Sequence, residues 1–160
     1  MDHLSREEEQ RYVQLQEMAL DFARQGEVPT LASMIKAGLP VNTKDPKGNS
    51  LLMLACYNGN LECAKMLIAH GADVDESNDH GHSILAGASF KGYLDIVRVL
   101  VENKAVIEKH PMKNPVIFAS MFGRKEVVDY LQSIDQNPPA LKDKLLQNFS
   151  RFIALFQSRR

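Results

Sequence analysis

Cysteine is scarce in this chain: Cys56 and Cys63 are its only two. Two thiols cannot make a disulfide framework, and their spacing matches neither a C-x-x-C redox motif nor a zinc knuckle. An excess of either charge is also missing, with 19 Lys plus Arg against 20 Asp plus Glu and a net charge of −1. That balance removes any global pull toward nucleic acid or anionic membrane, so neither is expected as a partner. No apolar run approaches the roughly 18 to 20 residues needed to cross a bilayer. The opening "MDHLSREEEQRYVQLQ" has neither the basic n-region nor the apolar h-region of a secretory signal, and a cytoplasmic location is the expectation. Also absent are the phosphate loop G-x-x-x-x-G-K-[ST], the dinucleotide fingerprint G-x-G-x-x-G and the nucleophile elbow G-x-S-x-G. Neither an enzyme nor a bound cofactor is expected.

What is present is an ordinary globular composition, 160 residues with 44% hydrophobic and 24% charged, enough for one domain with a real core. A period of 33 runs through it. Gly26, Gly59 and Gly92 are 33 apart, Gly123 follows after 31, and Gly38 and Gly71 repeat at 33 with Lys104 next in register. The texts "FARQGEVPTLASMIKAGLPVN", "ACYNGNLECAKMLIAHGADVD", "ASFKGYLDIVRVLVENKAVIE" and "ASMFGRKEVVDYLQSI" align around these positions. Glycines placed by such a period answer to structure rather than to phosphate binding.

Within a unit, Leu51, Leu52, Leu54 and Ala55 make a short apolar helix that ends at Asn58-Gly59, where glycine can adopt the left-handed conformation of a C-cap. A second helix is expected from about Leu61 to His70, with Leu61, Ala64, Leu67 and Ile68 on its buried face. The following "ADVDESNDHG" has the Asp, Asn and Gly of a tight hairpin. Each unit therefore reads as helix, turn, helix, hairpin.

This unit resembles that of the ankyrin repeat family, whose repeat is 33 residues long and carries a T-P-L-H element. Gly48, Ser50, Leu52, Ala55, Gly59, Leu61, Leu67, Ile68, Gly71, Ala72, Asp73 and Val74 carry the likeness in one unit. Gly81, Ser83, Leu85, Ala88, Gly92, Leu94, Val97, Leu100, Val101 and Ala105 carry it in the next. The resemblance covers residues 17 to 133 and is to small ankyrin repeat domain-containing proteins of bacterial type. It implies an all-α solenoid and a non-enzymatic module that binds a protein through its concave groove, as regulator, inhibitor or adaptor. The module would work as a monomer or within a hetero-complex. The element departs from the family pattern: its threonine is Ser50, Ser83 and Asn114, its proline is kept only as Pro115, and its histidine is Met53, Ala86 and Ile117. The hairpin "EKHPMK" is two residues short, which predicts a blunted or absent hairpin there.

The expected organisation is an N-terminal capping helix over 1–16 and repeats over 17–46, 47–79, 80–110 and 111–134. An amphipathic capping helix over 138–158 completes it. Terminal units of a stack must cover its apolar ends. Ser5 with Glu8 reads as a capping box opening one long helix to Gln25, with Tyr12, Leu15, Ala19 and Phe22 on one stripe. Leu141, Leu145, Phe149, Phe152 and Phe156 form a second stripe after Pro138-Pro139. This last helix caps the final repeat or, alternatively, docks to a membrane or nucleic acid.

The candidate binding residues come from reading positions across units. The two residues before the glycine that ends each first helix are Arg24, Tyr57, Phe90 and Met121, then Gln25, Asn58, Lys91 and Phe122. The resemblance places these positions on the groove, where no packing need demands Tyr57, Phe90, Met121 or Phe122, and aromatics and Met are enriched at interface centres. Lys47, Asn49, Asp79, His80, His82 and Lys113 would form a polar rim, with Met53 at the element's histidine position. An alternative for Met121 and Phe122 is burial beneath the C-terminal helix. Two rivals from another class are a metal site built on His80, His82 and His110 with Asp79 or Glu108, and a thiol function of Cys56 and Cys63. Against the latter, Cys56 falls in a slot held by Ala23, Ser89 and Ser120, and Cys63 in one held by Thr30, Ile96 and Val127, so both read as small core residues.

Overall fold

The computed structural model describes residues 5–134, and among these every regular element is a helix. The order is α1 (Arg6–Gln25), α2 (Val28–Lys36), α3 (Leu51–Tyr57), α4 (Leu61–Ala69), α5 (Ile84–Lys91), α6 (Leu94–Glu102), α7 (Pro115–Met121) and α8 (Lys125–Ile134). They pack as two parallel rows. The C-terminal half of α1 leads α3, α5 and α7 in one row, and α2, α4, α6 and α8 form the other. Buried aliphatic side chains run unbroken between the rows, from Leu31 through Leu52, Leu67, Leu85 and Leu100 to Leu131. The fold is an all-α repeat stack.

Local chemistry sets the starts of α3, α5 and α7. Ser50 and Ser83 cap α3 and α5, their hydroxyls accepting from the N–H groups of Met53 and Ala86 at 3.1 Å each. The Asn114 carboxamide accepts from Val116 N–H at 2.8 Å, and Pro115 opens α7 where its missing donor costs nothing. The departures from threonine at this position are thus replacements among good caps. Gly26, Gly59 and Gly92 take φ of 75°, 78° and 80°, and each also sits under a residue of the next helix pair. A Cβ would come within 2.8 Å of Asn60 on Gly26, 3.1 Å of the Tyr93 ring on Gly59 and 2.6 Å of Arg124 on Gly92. Those covering residues tie the stack: Asn60 donates to the Ala23 and Arg24 carbonyls at 3.0 and 2.8 Å, and Arg124 Nε to the Phe90 carbonyl at 3.0 Å. Lys104, in register with Gly38 and Gly71, holds the left-handed conformation without being glycine, at φ 67°.

Two hairpins close with a single antiparallel bridge each, Lys44 with Ser50 and Ser77 with Ser83. No bridge closes the shortened "EKHPMK" segment, which makes only a turn from Lys113 N–H to the His110 carbonyl at 2.9 Å.

The N-terminal helix forms with both halves of its capping box, Ser5 with Glu8. Its expected stripe is corrected in part. Ala19, Leu20 and Ala23 are buried and Phe22 half-buried, but Tyr12 and Leu15 are 42% and 47% exposed. The reason is length: α1 has 20 residues and α3 has 7, about 30 Å against about 10 Å, so the first half of α1 overshoots the stack it covers. The expected capping helix over 138–158 lies outside the described residues.

Candidate functional site

The face formed by α3, α5, α7 and the hairpins carries the groove. Tyr57 closes the last turn of α3 and is 44% exposed. Its ring lies parallel to Phe90 of α5, with centroids 6.4 Å apart and 5° between planes. Phe90 in turn meets Phe122 edge to face at 4.4 Å, and Lys91 Nζ stands 4.9 Å over the Tyr57 ring. Offset and edge-on geometries are the favourable ones for aromatic pairs, and an ammonium over the ring face adds a cation–π attraction. The three rings form a ladder across three helix pairs while Tyr57 and Phe122 stay open to solvent.

The other expected residues divide. Met121 is half-buried and stands outside the ring ladder. Phe122 is exposed, and the alternative of burial beneath the C-terminal helix falls on residues outside the described ones. Arg24 is engaged by Asp21 at 2.6 Å and Asp45 at 3.4 Å, and the Asn58 amide is turned back on the Leu54 carbonyl at 2.8 Å. Both act locally. Met53 is buried in the core yet reaches the groove floor.

Beside the rings lies a pocket of about 380 Å³ that the aromatic positions alone did not disclose. Its walls are Met53, Leu54 and Tyr57 on one side and Phe90 and Phe118 on the other, with Ala86 and Gly87 between them and Asn49, Asn78 and His82 at the hairpin edge. The cause is visible when helix positions are compared. Where α3 carries Met53-Leu54 and α7 carries Ile117-Phe118, α5 carries Ala86-Gly87, so the middle helix lacks the side chains that would fill the space. Gly87 is helical, not in the left-handed region, and a Cβ there would meet Tyr57 Cδ2 at an ordinary 3.5 Å. Neither φ nor crowding requires glycine, although a helix-interior glycine costs about 1 kcal/mol relative to alanine. Leu54, Phe118, Asn78, Ala86 and Gly87 were not among the expected residues: Ala86 and Gly87 shape the pocket by the side chains they lack, and Leu54, Phe118 and Asn78 stand away from the two positions before each turn glycine. The signal was a glycine inside the helical text "ILAGASF".

The hairpin edge is held firmly. Asp45 accepts from the Lys47 and Asn49 N–H groups at 2.9 Å each and from the Asn49 amide at 3.0 Å. Burial pushes its carboxyl upward, but the Asn49 and Lys47 hydrogen bonds and the Arg24 charge outweigh this and hold it below its ordinary value. In the next hairpin Asn78 plays the same part, accepting from the His80 and His82 N–H groups at 3.1 and 3.0 Å. The Asn78 amide also donates to Asn49 at 3.0 Å, linking the hairpins, and Asp79 N–H donates to the Lys47 carbonyl at 3.0 Å. Lys113 reaches within 3.9 Å of where a Gly81 Cβ would lie. Lys47, Asp79, His80, His82 and Lys113 are exposed along this edge.

The rival chemistries find less support. The His80 and His82 rings are 6.0 Å apart, and no group of three or more His, Cys, Asp or Glu that could hold a metal occurs among the described residues. His110 is occupied locally, its Nδ1 accepting from Met112 N–H at 3.3 Å. Cys56 and Cys63 are both buried. Burial, with the neighbouring Cys63, pushes the Cys56 thiol far above its usual range, and burial pushes Cys63 up to about 11. Such thiols are protonated and inert at neutral pH. No described helix is long and apolar enough to cross a membrane.

Paired helices stacked in two rows, with hairpins projecting from one edge, define a helical repeat protein. The chain belongs to the ankyrin repeat family, whose model of ankyrin repeats in three copies matches residues 20–111, more than half of its length. The pair α7–α8 lies beyond the matched residues. Among relatives, it is 44% identical over 46 residues to a protein named as an ankyrin repeat protein in Pseudomonas aeruginosa, covering 29% of this chain and 27% of that protein. It is 45% identical over 47 residues to acyl-CoA-binding domain-containing protein 2 of Arabidopsis thaliana, covering 29% of this chain and 13% of that protein. The chain thus spans well under two thirds of the length of either relative.

Proposed function

We propose that this chain is a non-enzymatic module that holds a partner protein in the groove along α3, α5 and α7. Ankyrin repeats are in general protein-interaction modules, and one observation carries the reading here: solvent-open aromatic rings flank an unfilled apolar pocket on a rigid, hydrogen-bonded frame. Apolar rings exposed beside a cavity are unfavourable to leave in water, and burial of such anchors dominates the energetics of interfaces. A preformed groove also loses little ordering entropy on binding. Repeats over 17–46, 47–79, 80–110 and 111–134 supply the frame, Tyr57 and Phe90 the anchors, and Lys47, Asp79, His80, His82 and Lys113 the specificity. The two free cysteines fit a reducing, cytoplasmic setting, where the module would regulate, inhibit or adapt its partner.

The test is a pull-down from the native cell, read by mass spectrometry, with wild type and the Tyr57→Ala/Phe90→Ala double variant. The partner should be lost from the double variant while its far-UV circular dichroism stays unchanged. Capture retained by the folded double variant would refute the groove as the site.

A further inference from the structure

We infer that the pocket opened by Ala86 and Gly87 takes an apolar side chain of a partner segment that is acidic on either side of it. This rests on the groove reading above and adds the chemistry of what binds there. The pocket walls are apolar: Met53, Leu54, Tyr57, Phe90 and Phe118. A buried polar group would have Asn49, Asn78, His82, Ser83 and the Tyr57 hydroxyl to meet it, but Asn49 and Asn78 already bond each other and the Ser83 hydroxyl caps α5. An aliphatic or aromatic side chain therefore suits the interior.

Charge selects what flanks it. Lys91 stands over the Tyr57 ring, Lys113 lies against the hairpin tip at Gly81, and Lys47 heads the preceding tip. These three lysines make no ion pair among the described residues, whereas Asp79 is the one carboxylate among the rim positions. Asp45 is consumed by backbone N–H groups and Arg24. These lysines are not pocket walls but stand over its Tyr57 wall and at the adjoining hairpin tips, where they attract a segment whose own charges are negative. The same argument disfavours the chain's own residues 135–160, which carry Lys142, Lys144, Arg151, Arg159 and Arg160 against Asp135 and Asp143.

The test pans a randomised peptide library against the full chain and measures labelled consensus peptides by fluorescence anisotropy. Enriched clones should carry Leu, Ile, Met or Phe beside Asp or Glu. Binding should weaken by about tenfold or more in Gly87→Leu, which refills the pocket, and less in Gly87→Ala, with circular dichroism confirming the fold of both. Lys47→Gln with Lys113→Gln should weaken binding and flatten its salt dependence. A basic or uncharged consensus, no enrichment at all, or equal competition by a synthetic peptide of residues 135–160 would overturn the inference. So would concentration-dependent self-association that the consensus peptide reverses, since a second copy would then be the occupant. Affinity lost in Tyr57→Ala/Phe90→Ala but unchanged in both Gly87 variants would sink the pocket and keep the groove. Affinity unchanged in all of them would sink both.

Discussion

Helices α3 and α5 occupy equivalent places in successive repeats, share a serine cap and bury the same core leucine, yet one is filled on its groove side and the other is hollow. Leu52 and Leu85 are both fully buried, and Ser50 and Ser83 cap alike. Met53-Leu54 in α3 becomes Ala86-Gly87 in α5. The repeat fold therefore constrains the positions that face the second row of helices and the neighbouring turn, and leaves the groove-side positions free. Where a free position carries a residue that costs stability, function is the better explanation.

The largest effect should show what the two repeats share. Leu52→Ala and Leu85→Ala should each destabilise by about 2–5 kcal/mol in urea unfolding, because both leucines sit in the continuous core. A marked inequality would mean that the hollow on α5 lets its repeat collapse around the lost side chain. Next is the left-handed glycine that follows α3. Gly59→Ala should cost about 1–2 kcal/mol from the left-handed conformation alone, with further strain because the Tyr93 ring lies 3.1 Å from the new Cβ; thermal melting reads it. The smallest effect concerns the hairpins, where the first hairpin uses Asp45 and the second uses the neutral Asn78 for the equivalent two N–H groups. Because the folded state holds Asp45 below its ordinary value near 3.8, its contribution is full above that pH and is lost as pH falls through the lower folded value. Asp45→Asn should flatten the acid limb of stability below about pH 4, measured by unfolding midpoints across pH, while Asn78→Ala should lower stability by the same amount at every pH.

The all-α stack was legible because a 33-residue period repeats caps, core leucines and left-handed glycines in phase, so each position was read several times over. The blunted turn at "EKHPMK" was legible for the same reason: two missing residues stand out against a regular background. The protrusion of α1 was not, since a stripe such as Tyr12, Leu15, Ala19 and Phe22 reports which side of a helix is apolar, not where its packing partner ends. Tyr57 and Phe90 emerged by reading across repeats. The pocket did not, because it is made by side chains that are missing, and Phe118 faces it from the unit shifted by two residues. A helix-interior glycine compared with its equivalents Leu54 and Phe118 is the signal that would have found it.

Gly87→Ala is the substitution that separates function from structure most directly. A urea unfolding curve should show this variant more stable than wild type by about 1 kcal/mol with an unchanged slope, because the methyl group meets only ordinary contact with Tyr57. Destabilisation would mean that the fold itself requires the glycine, and the pocket would then be a by-product of packing rather than a site.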